Sequence, residues 1–252
     1  KTQYGIVEVD TVRAIAGLPW EDLTPSGDEY LLADIKLLAP VVPPDIFAIG
    51  LNYRAHAAEG GFELPAAPVV FIKASSSVIG PGDSIILPAM LPNEVDYEAE
   101  LAIVIGRTCR RVSEDEALDY VFGYTCGNDV SARDAQRRLD KQWARAKSFD
   151  TFCPLGPWIE TDLDPQNVDV QLILNGQTMQ SSNTEDMIFS CRKLVSYLSQ
   201  IATLKPGTVI MTGTPSGVGV ARSPELFLKP GDKVEVRLSG IGSLVNPVVR
   251  EI

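Results

Sequence analysis

Along residues 94–104, Glu94-Val-Asp-Tyr-Glu-Ala-Glu-Leu-Ala-Ile-Val104, hydrophobic and polar positions alternate. A β-strand sends successive side chains to opposite faces. Val95, Tyr97, Ala99, Leu101 and Ile103 therefore form one apolar face. The other face carries Glu94, Asp96, Glu98 and Glu100, then turns apolar at Ala102 and Val104. Glu98 and Glu100 stand about 6.5–7 Å apart along such a strand. Two carboxylates that close repel, and each seeks water or a cation. Two readings are open. The acidic half is a solvated edge with its charges outward, or it enters a cleft and holds a divalent cation. Oxygen-only ligands favour Mg²⁺ or Mn²⁺ over zinc.

Other stretches extend the β pattern. Ile46–Gly50, Pro68–Ala74 and Asp169–Leu174 read as strands, and Phe122–Asn128 reads as a strand ending in a polar elbow at Asp129. Gly80-Pro-Gly-Asp83, Pro206-Gly207 and Pro230-Gly231 are turns feeding Ile85–Leu87, Val209–Met211 and Val234–Leu238, and Asn175-Gly176 is a hairpin turn. A hairpin-like pair around Gly240–Gly242 and Asn246-Pro247 closes the chain. These signals predict a mostly β (α+β) fold.

Helical signals are fewer. Ser113-Glu-Asp-Glu116 is a capping box opening a short helix through Tyr120. Ser131 is placed to cap a helix running toward Trp143. A longer helix spans about Glu185 to Ala202, where Met187, Ile188, Cys191, Leu194, Val195, Leu198 and Ile201 form an apolar stripe expected in the core. Residues 1–38 read as short strands, with Ile6, Val9 and Val12 apolar and a polar turn from Asp22 to Asp28. Pro40-Val-Val-Pro-Pro44 is a stiff connector. It divides a small N-terminal β subdomain, 1–42, from a larger domain, 43–252.

Composition narrows the function. The chain has 252 residues, 45% of them hydrophobic, enough for a substantial core. A net charge of −11 argues against a nucleic-acid partner and favours a small-molecule substrate. Cys109, Cys126, Cys153 and Cys191 form no CxxC pair and read as buried free thiols in a reducing compartment. No apolar run approaches a membrane span, and the opening Lys-Thr-Gln-Tyr shows no signal-peptide pattern. The expectation is a cytoplasmic protein with no membrane partner.

Several polar residues are candidates for chemistry. His56, the chain's one histidine, precedes Glu59 by three positions, so one helical turn puts both on one face. A carboxylate beside an imidazole orients it and suits it to activate water, although such a pair is also common on ordinary helix surfaces. Gly60-Gly61 after it suits a mobile lid or a plain loop. Lys73 closes an apolar strand and either snorkels to water or faces an anion. Asp129 is a candidate third carboxylate; its alternative is a helix cap or a salt bridge with Arg133. Gln136 lies roughly on the same side as Asp129. Lys147 is placed to neutralise a substrate carboxylate or an oxyanion, or is simply solvated. Gly213-Thr-Pro-Ser-Gly-Val-Gly219 lacks the features of a nucleotide phosphate loop, yet its backbone N–H groups and the Thr214 hydroxyl suit an anion. Arg54, Arg137 and Arg138 are candidates to meet a second substrate carboxylate.

Taken together, the motifs LNYRAHAAE (51–59), PVVFIK (68–73), EVDYEAELAIVIG (94–106), GYTCGNDVSARDAQ (123–136), AKSFDTFCPLGP (146–157), GTPSGVG (213–219) and NPV (246–248) resemble the fumarylacetoacetate hydrolase family, in that family's order over about residues 43–250. Ala48 departs from the Cys of many relatives. The resemblance implies a mixed β-sandwich roll, paired into a homodimer. It implies Mg²⁺ or Mn²⁺ on Glu98, Glu100 and Asp129, with His56 and Glu59 as a dyad and Lys147 also catalytic. Lys73, Gln136, Thr214 and Arg54 are carried over as substrate contacts. The implied substrate is a 2-oxo acid, reacting through a cation-stabilised pyruvate enolate. Hydrolysis of a C–C bond in an acylpyruvate is the first expectation. Oxaloacetate decarboxylation and 2-hydroxydienoate or keto–enol isomerisation are the alternatives.

Overall fold

The computed structural model describes residues 2–139 and 141–251. Its main sheet has seven strands, in the order Val69–Lys73, Ile46–Gly50, Val209–Met211, Ala99–Ile105, Val121–Asn128, Cys153–Glu160 and Val78–Ile79. Ala99–Ile105 lies at the centre, antiparallel to Val209–Met211 on one side and Val121–Asn128 on the other. A five-stranded sheet, ordered Gln177–Asn183, Asp169–Leu174, Lys233–Leu238, Gly242–Arg250 and Ile85–Leu87, packs over the main sheet. The result is the mostly β, two-layer architecture that the alternation predicts.

The central strand shows why. Leu101, Ile103 and Ile105 point between the sheets, where Leu172, Val234, Val236 and Leu244 meet them. Ala102 and Val104 point the other way, into a second cluster with Val41, Ile46, Ala48, Phe71, Val209 and Met211. All seven residues of Ala99–Ile105 are buried. The solvated-edge reading of the acidic stretch is thereby overturned, because a strand with neighbours on both edges and layers on both faces offers water no face. The stretch is also interrupted: Val95–Asp96 and Ala99–Ile105 are separate strands. Between and beside them, side chains replace the ladder. Tyr97 N donates to Asp96 Oδ1, Glu98 N to Asn128 Oδ1, and Ala99 N to Gln180 Oε1.

The capping box forms reciprocally: Ser113 Oγ and N donate to Glu116 Oε2, and Glu116 N donates to Ser113 Oγ. It opens a short 3₁₀ turn, Ala117–Tyr120. At Asn175-Gly176 both residues have positive φ, 52° and 85°, as a two-residue hairpin turn requires.

Three expectations need correction. The long helix is Cys191–Ile201, not 185–202, because Ser190 caps it by accepting from Lys193 N; Ile201 is 63% exposed rather than core. Residues 131–143 do not form one helix from a Ser131 cap. Ser131-Ala132 pairs with Val95-Asp96, and Ser131 Oγ donates to Asp129 O. A π-helical turn, Ala135–Leu139, follows; the expected helix would have crossed Asp140, which lies outside the described residues. At the N-terminus, Val9 turns the chain between Gly5–Glu8 and Thr11–Ile15 and is 89% exposed. Most of the expected polar turn at 22–28 belongs to a third strand, Pro25–Leu31, exposed along its whole length, so no alternation marks it.

Candidate active site

Register assembles the acidic cluster. Gly127 pairs with Glu100 and Asn128 with Ala99, so Asp129 emerges beside Glu98 and its N–H donates to Glu98 O at 2.9 Å. Carboxylate oxygens of Glu98, Glu100 and Asp129 lie within 4.8 Å of one another, and all three residues are buried. Lys147 Nζ bridges two of them, at 2.8 Å from Glu98 Oε2 and 2.5 Å from Asp129 Oδ2. Lys73, on the same strand face as Phe71, reaches Asp129 Oδ1 at 2.6 Å and also bonds the Lys147 carbonyl. Asp129 thus pairs with two lysines, and not with Arg133. Arg133 instead binds Asp96 Oδ2 at 2.8 Å and Glu98 Oε1 at 2.7 Å.

The electrostatics follow. Burial raises the Glu98 pKa, but Lys147 and Arg133, with a smaller contribution from His56, outweigh it and hold this carboxyl at about 2. Glu100 has no such partner in contact. Burial, then repulsion from Asp129 and Glu98, push its carboxyl well above the usual range. Burial opposes a charged Lys147, yet Asp129 and Glu98 keep its pKa above the ordinary lysine value. Four buried carboxylates, Asp96, Glu98, Glu100 and Asp129, face three buried cations, Lys73, Arg133 and Lys147. An oxygen-only donor set with surplus negative charge fits a hard divalent cation.

The dyad sits on the helix Arg54–Glu59. This short helix is fixed from outside: Asp186 Oδ2 accepts from Ala55 N, and Arg54 donates to the carbonyls of Asp186 and Met187. Just before it, buried Asn52 bonds Thr212 O and both backbone groups of Phe189. His56 Nδ1 lies 3.2 Å from Glu59 Oε2, with the two side chains 18% and 23% exposed. A carboxylate only accepts, so in the neutral imidazole this contact puts the proton on Nδ1 and the lone pair on Nε2.

The glycine-rich stretch does meet anions, and they are the chain's own. Gly213 N donates to Glu100 Oε2 at 2.8 Å. Gly217 N donates to both Glu59 oxygens, at 2.9 and 3.1 Å. Gly219 N and Val220 N grip Asp96 at 2.8 and 3.0 Å. Gly217 has φ +101°, and a Cβ there would collide with the Met179 carbonyl. Only glycine fits.

The remaining candidates are less direct. Thr214 Oγ1 donates to Ala99 O and accepts from Gln180 Nε2, so it is engaged with the framework. Gln136 is tied to Arg133 Nη1 at 2.9 Å, one residue removed from Glu98. Of the three arginines, Arg54 is spent on carbonyls and Arg138 is paired with Glu94. Arg137 has no hydrogen bond or ion pair among the described residues. Burial and the nearby charge of Arg133 lower its pKa, and it senses Asp96 and Glu98. Arg133 and Asp96 are the functional candidates that sequence reasoning misses. Asp96 shares the acidic face with Glu98 and Glu100, the one signal that could have singled it out.

Comparison with known proteins gives the same picture. The profile "Fumarylacetoacetate (FAA) hydrolase C-terminal" matches residues 45–249, and "Rv2993c-like, N-terminal" matches residues 1–40. Protein Rv2993c of Mycobacterium tuberculosis is 46% identical over 244 residues, 96% of this chain and 89% of that protein. Oxaloacetate tautomerase Fahd2a, mitochondrial, of Rattus norvegicus is 45% identical over 221 residues, 86% of this chain and 70% of that protein. The crystal structure of 5-carboxymethyl-2-hydroxymuconate delta-isomerase from Mycobacterium smegmatis superposes with a TM-score of 0.89 at 45% identity, covering 99% of this chain and 94% of that one. No helix among the described residues is long and apolar enough to cross a membrane. A family profile spanning four-fifths of the sequence, over a buried carboxylate cluster with an imidazole–carboxylate pair beside it, makes this chain an enzyme of the fumarylacetoacetate hydrolase family.

Proposed function

We propose that the protein interconverts the keto and enol forms of a dicarboxylic 2-oxo acid and depends on Mg²⁺ or Mn²⁺. The observation that carries this reading is His56, oriented by Glu59, whose carboxylate is held by the same glycine-rich loop that holds Glu100 of the Glu98–Glu100–Asp129 cluster. A cation held by those three carboxylates supplies Lewis-acid polarisation of the 2-oxo group. Gly217 fixes Glu59, Glu59 holds the imidazole by Nδ1–H, and Nε2 faces the substrate as the base. Nε2 takes a proton from C3, the C3–H electron pair forms the C2–C3 double bond, and the imidazolium returns the proton to the 2-oxo oxygen. Nothing is gained or lost, as tautomerisation requires. Lys147 holds Glu98 and Asp129 in place. Arg137, which has no hydrogen bond or ion pair among the described residues, receives the distal carboxylate. The names of the tautomerase and isomerase relatives support proton transfer over bond cleavage.

A second reading, hydrolysis of an acylpyruvate, is favoured by the partial exposure of His56 and Glu59, which lets water reach the imidazole. His56 then draws a proton from water and hydroxide adds at C4; the C3–C4 bond breaks with its electron pair going to C3, leaving a carboxylic acid and the enolate of pyruvate, and the imidazolium returns the proton to C3 to give pyruvate.

Oxaloacetate enol decay and pyruvate release from an acylpyruvate are to be assayed side by side, with chelator and then with added Mg²⁺ or Mn²⁺. Cation-dependent acceleration of enol decay, lost in His56→Ala, is expected. Pyruvate release without enol turnover selects the second reading, and turnover unaffected by chelator refutes both. Arg137→Ala should raise KM for oxaloacetate and leave that for a monocarboxylic 2-oxo acid unchanged.

A further inference from the structure

One buried carboxylate belongs neither to the three-carboxylate cluster nor to the dyad. Asp96 is fully buried, and all four of its hydrogen bonds come from the protein. Oδ1 accepts from Tyr97 N and Gly219 N, both at 2.8 Å. Oδ2 accepts from Val220 N at 3.0 Å and from Arg133 Nε at 2.8 Å. Arg133 is 4% exposed and turns its remaining nitrogens to Glu98 Oε1, at 2.7 Å, and Gln136 Oε1, at 2.9 Å.

We infer that Asp96 is a positioning residue for the cation site: it locks Arg133, and the locked guanidinium aims Glu98. The inference rests on the reading of Glu98 as a cation ligand. A guanidinium on a flexible stem has a rigid fork but no fixed direction of its own. Asp96 supplies that direction through Nε, and the neighbouring Nη2 then stands 2.7 Å from Glu98 Oε1 as an ion pair. Lys147 holds the other Glu98 oxygen. With both oxygens tethered, the carboxylate plane is fixed before any ion arrives. Such outer contacts change metal affinity by about 10–100-fold when lost.

Asp96 also pins the end of the loop whose start, Gly213 N, holds Glu100. Loop-pinning alone is therefore the competing explanation, and the test must separate the two. Asp96→Asn keeps one acceptor for Tyr97 N and Gly219 N but turns an NH₂ toward Val220 N and Arg133 Nε, so it expels the guanidinium along with one loop contact, and only a comparison with and without Arg133 separates the two.

Mn²⁺ binding by the metal-free full chain, measured by titration calorimetry without substrate, is the readout. Asp96→Asn should weaken Mn²⁺ binding by about 10–100-fold. In an Arg133→Gln background the same change should cost under about 3-fold, because the group it acts through is gone. Saturating Mn²⁺ should restore most of kcat to Asp96→Asn. Wild-type affinity in Asp96→Asn, or the same loss in both backgrounds, overturns the inference in favour of loop-pinning. Arg133→Lys keeps the charge but cannot span Asp96 and Glu98, so it should also weaken Mn²⁺ binding. Undiminished affinity there overturns the inference even if Asp96→Asn fails to fold. If the wild-type chain binds no Mn²⁺, the cation reading itself fails, and this inference with it. The proton-transfer role of His56 is still read separately, by turnover.

Discussion

Replacing Glu100 by Gln should stabilise the metal-free protein while abolishing its response to metal. Glu100 is 1% exposed, and among the described residues its carboxylate accepts one hydrogen bond, from Gly213 N. A glutamine carbonyl accepts that bond equally well. What the substitution removes is a charge facing Glu98 and Asp129. At an effective dielectric of about 20, two unit charges at the 4.8 Å limit repel by about 3.5 kcal/mol. Two such repulsions act on Glu100, and Lys147 offsets part of them. Proton uptake by Glu100 relieves more of the strain, so a net gain of about 1–3 kcal/mol is expected near pH 8. The sign with pH follows from the raised carboxyl: the wild type carries its penalty where Glu100 must ionise. The advantage of the variant is therefore largest at high pH and fades as pH falls and Glu100 takes up a proton. Urea unfolding in chelator, at several pH values, measures it. Added Mg²⁺ or Mn²⁺ should raise the wild-type midpoint and leave the Glu100→Gln midpoint unmoved. A variant less stable than wild type in chelator, or one still stabilised by metal, refutes the charge argument.

Other substitutions probe separate links. His56→Ala should lower turnover by about 10²–10⁴-fold yet preserve the metal-induced shift in melting temperature, if His56 is the base proposed above, since it stands outside the Glu98–Glu100–Asp129 cluster. Asn52→Ala, which strands the buried carbonyl of Thr212 and the part-buried backbone groups of Phe189, should cost about 1–3 kcal/mol in urea unfolding. On the helix Cys191–Ile201, Leu194→Ala should cost about 2–5 kcal/mol and Ile201→Ala under about 0.5 kcal/mol, the contrast that places Ile201 outside the core. Burial pushes the thiols of Cys126, Cys153 and Cys191 up to about 12, so a thiol reagent should label none of them at pH 8 until the chain unfolds.

Local chemistry is legible in the sequence; non-local pairing is not. Glu98 and Glu100 announce themselves by period-2 spacing, Asp129 by its place at a strand end, and His56–Glu59 by a one-turn interval. Each of these depends on a few neighbouring residues. Arg133 lies only four positions from Asp129, but the pairing of Ser131-Ala132 with Val95-Asp96 turns it toward Asp96 and Glu98. No local pattern encodes that register. The direction of Lys73 is likewise set by sheet stacking. The helix expected from Ser131 fails for a related reason: Ser131-Ala132 already supplies a strand to Val95-Asp96. Ile201 keeps the helical spacing, but it is the last residue of its helix and stands exposed. The glycine-rich stretch shows that it can hold an anion; the anions' identities, three carboxylates of the same chain, appear only in three dimensions.

That stretch has a practical consequence for redesign. Its successive amides grip Glu100, Glu59 and Asp96, so one short run of backbone sets the positions of the carboxylate cluster and of the partner of His56 together. Grafting a different loop there would displace both at once, and neither could be tuned alone. Substitution at Arg137, whose side chain makes no hydrogen bond or ion pair among the described residues, leaves that loop's contacts untouched.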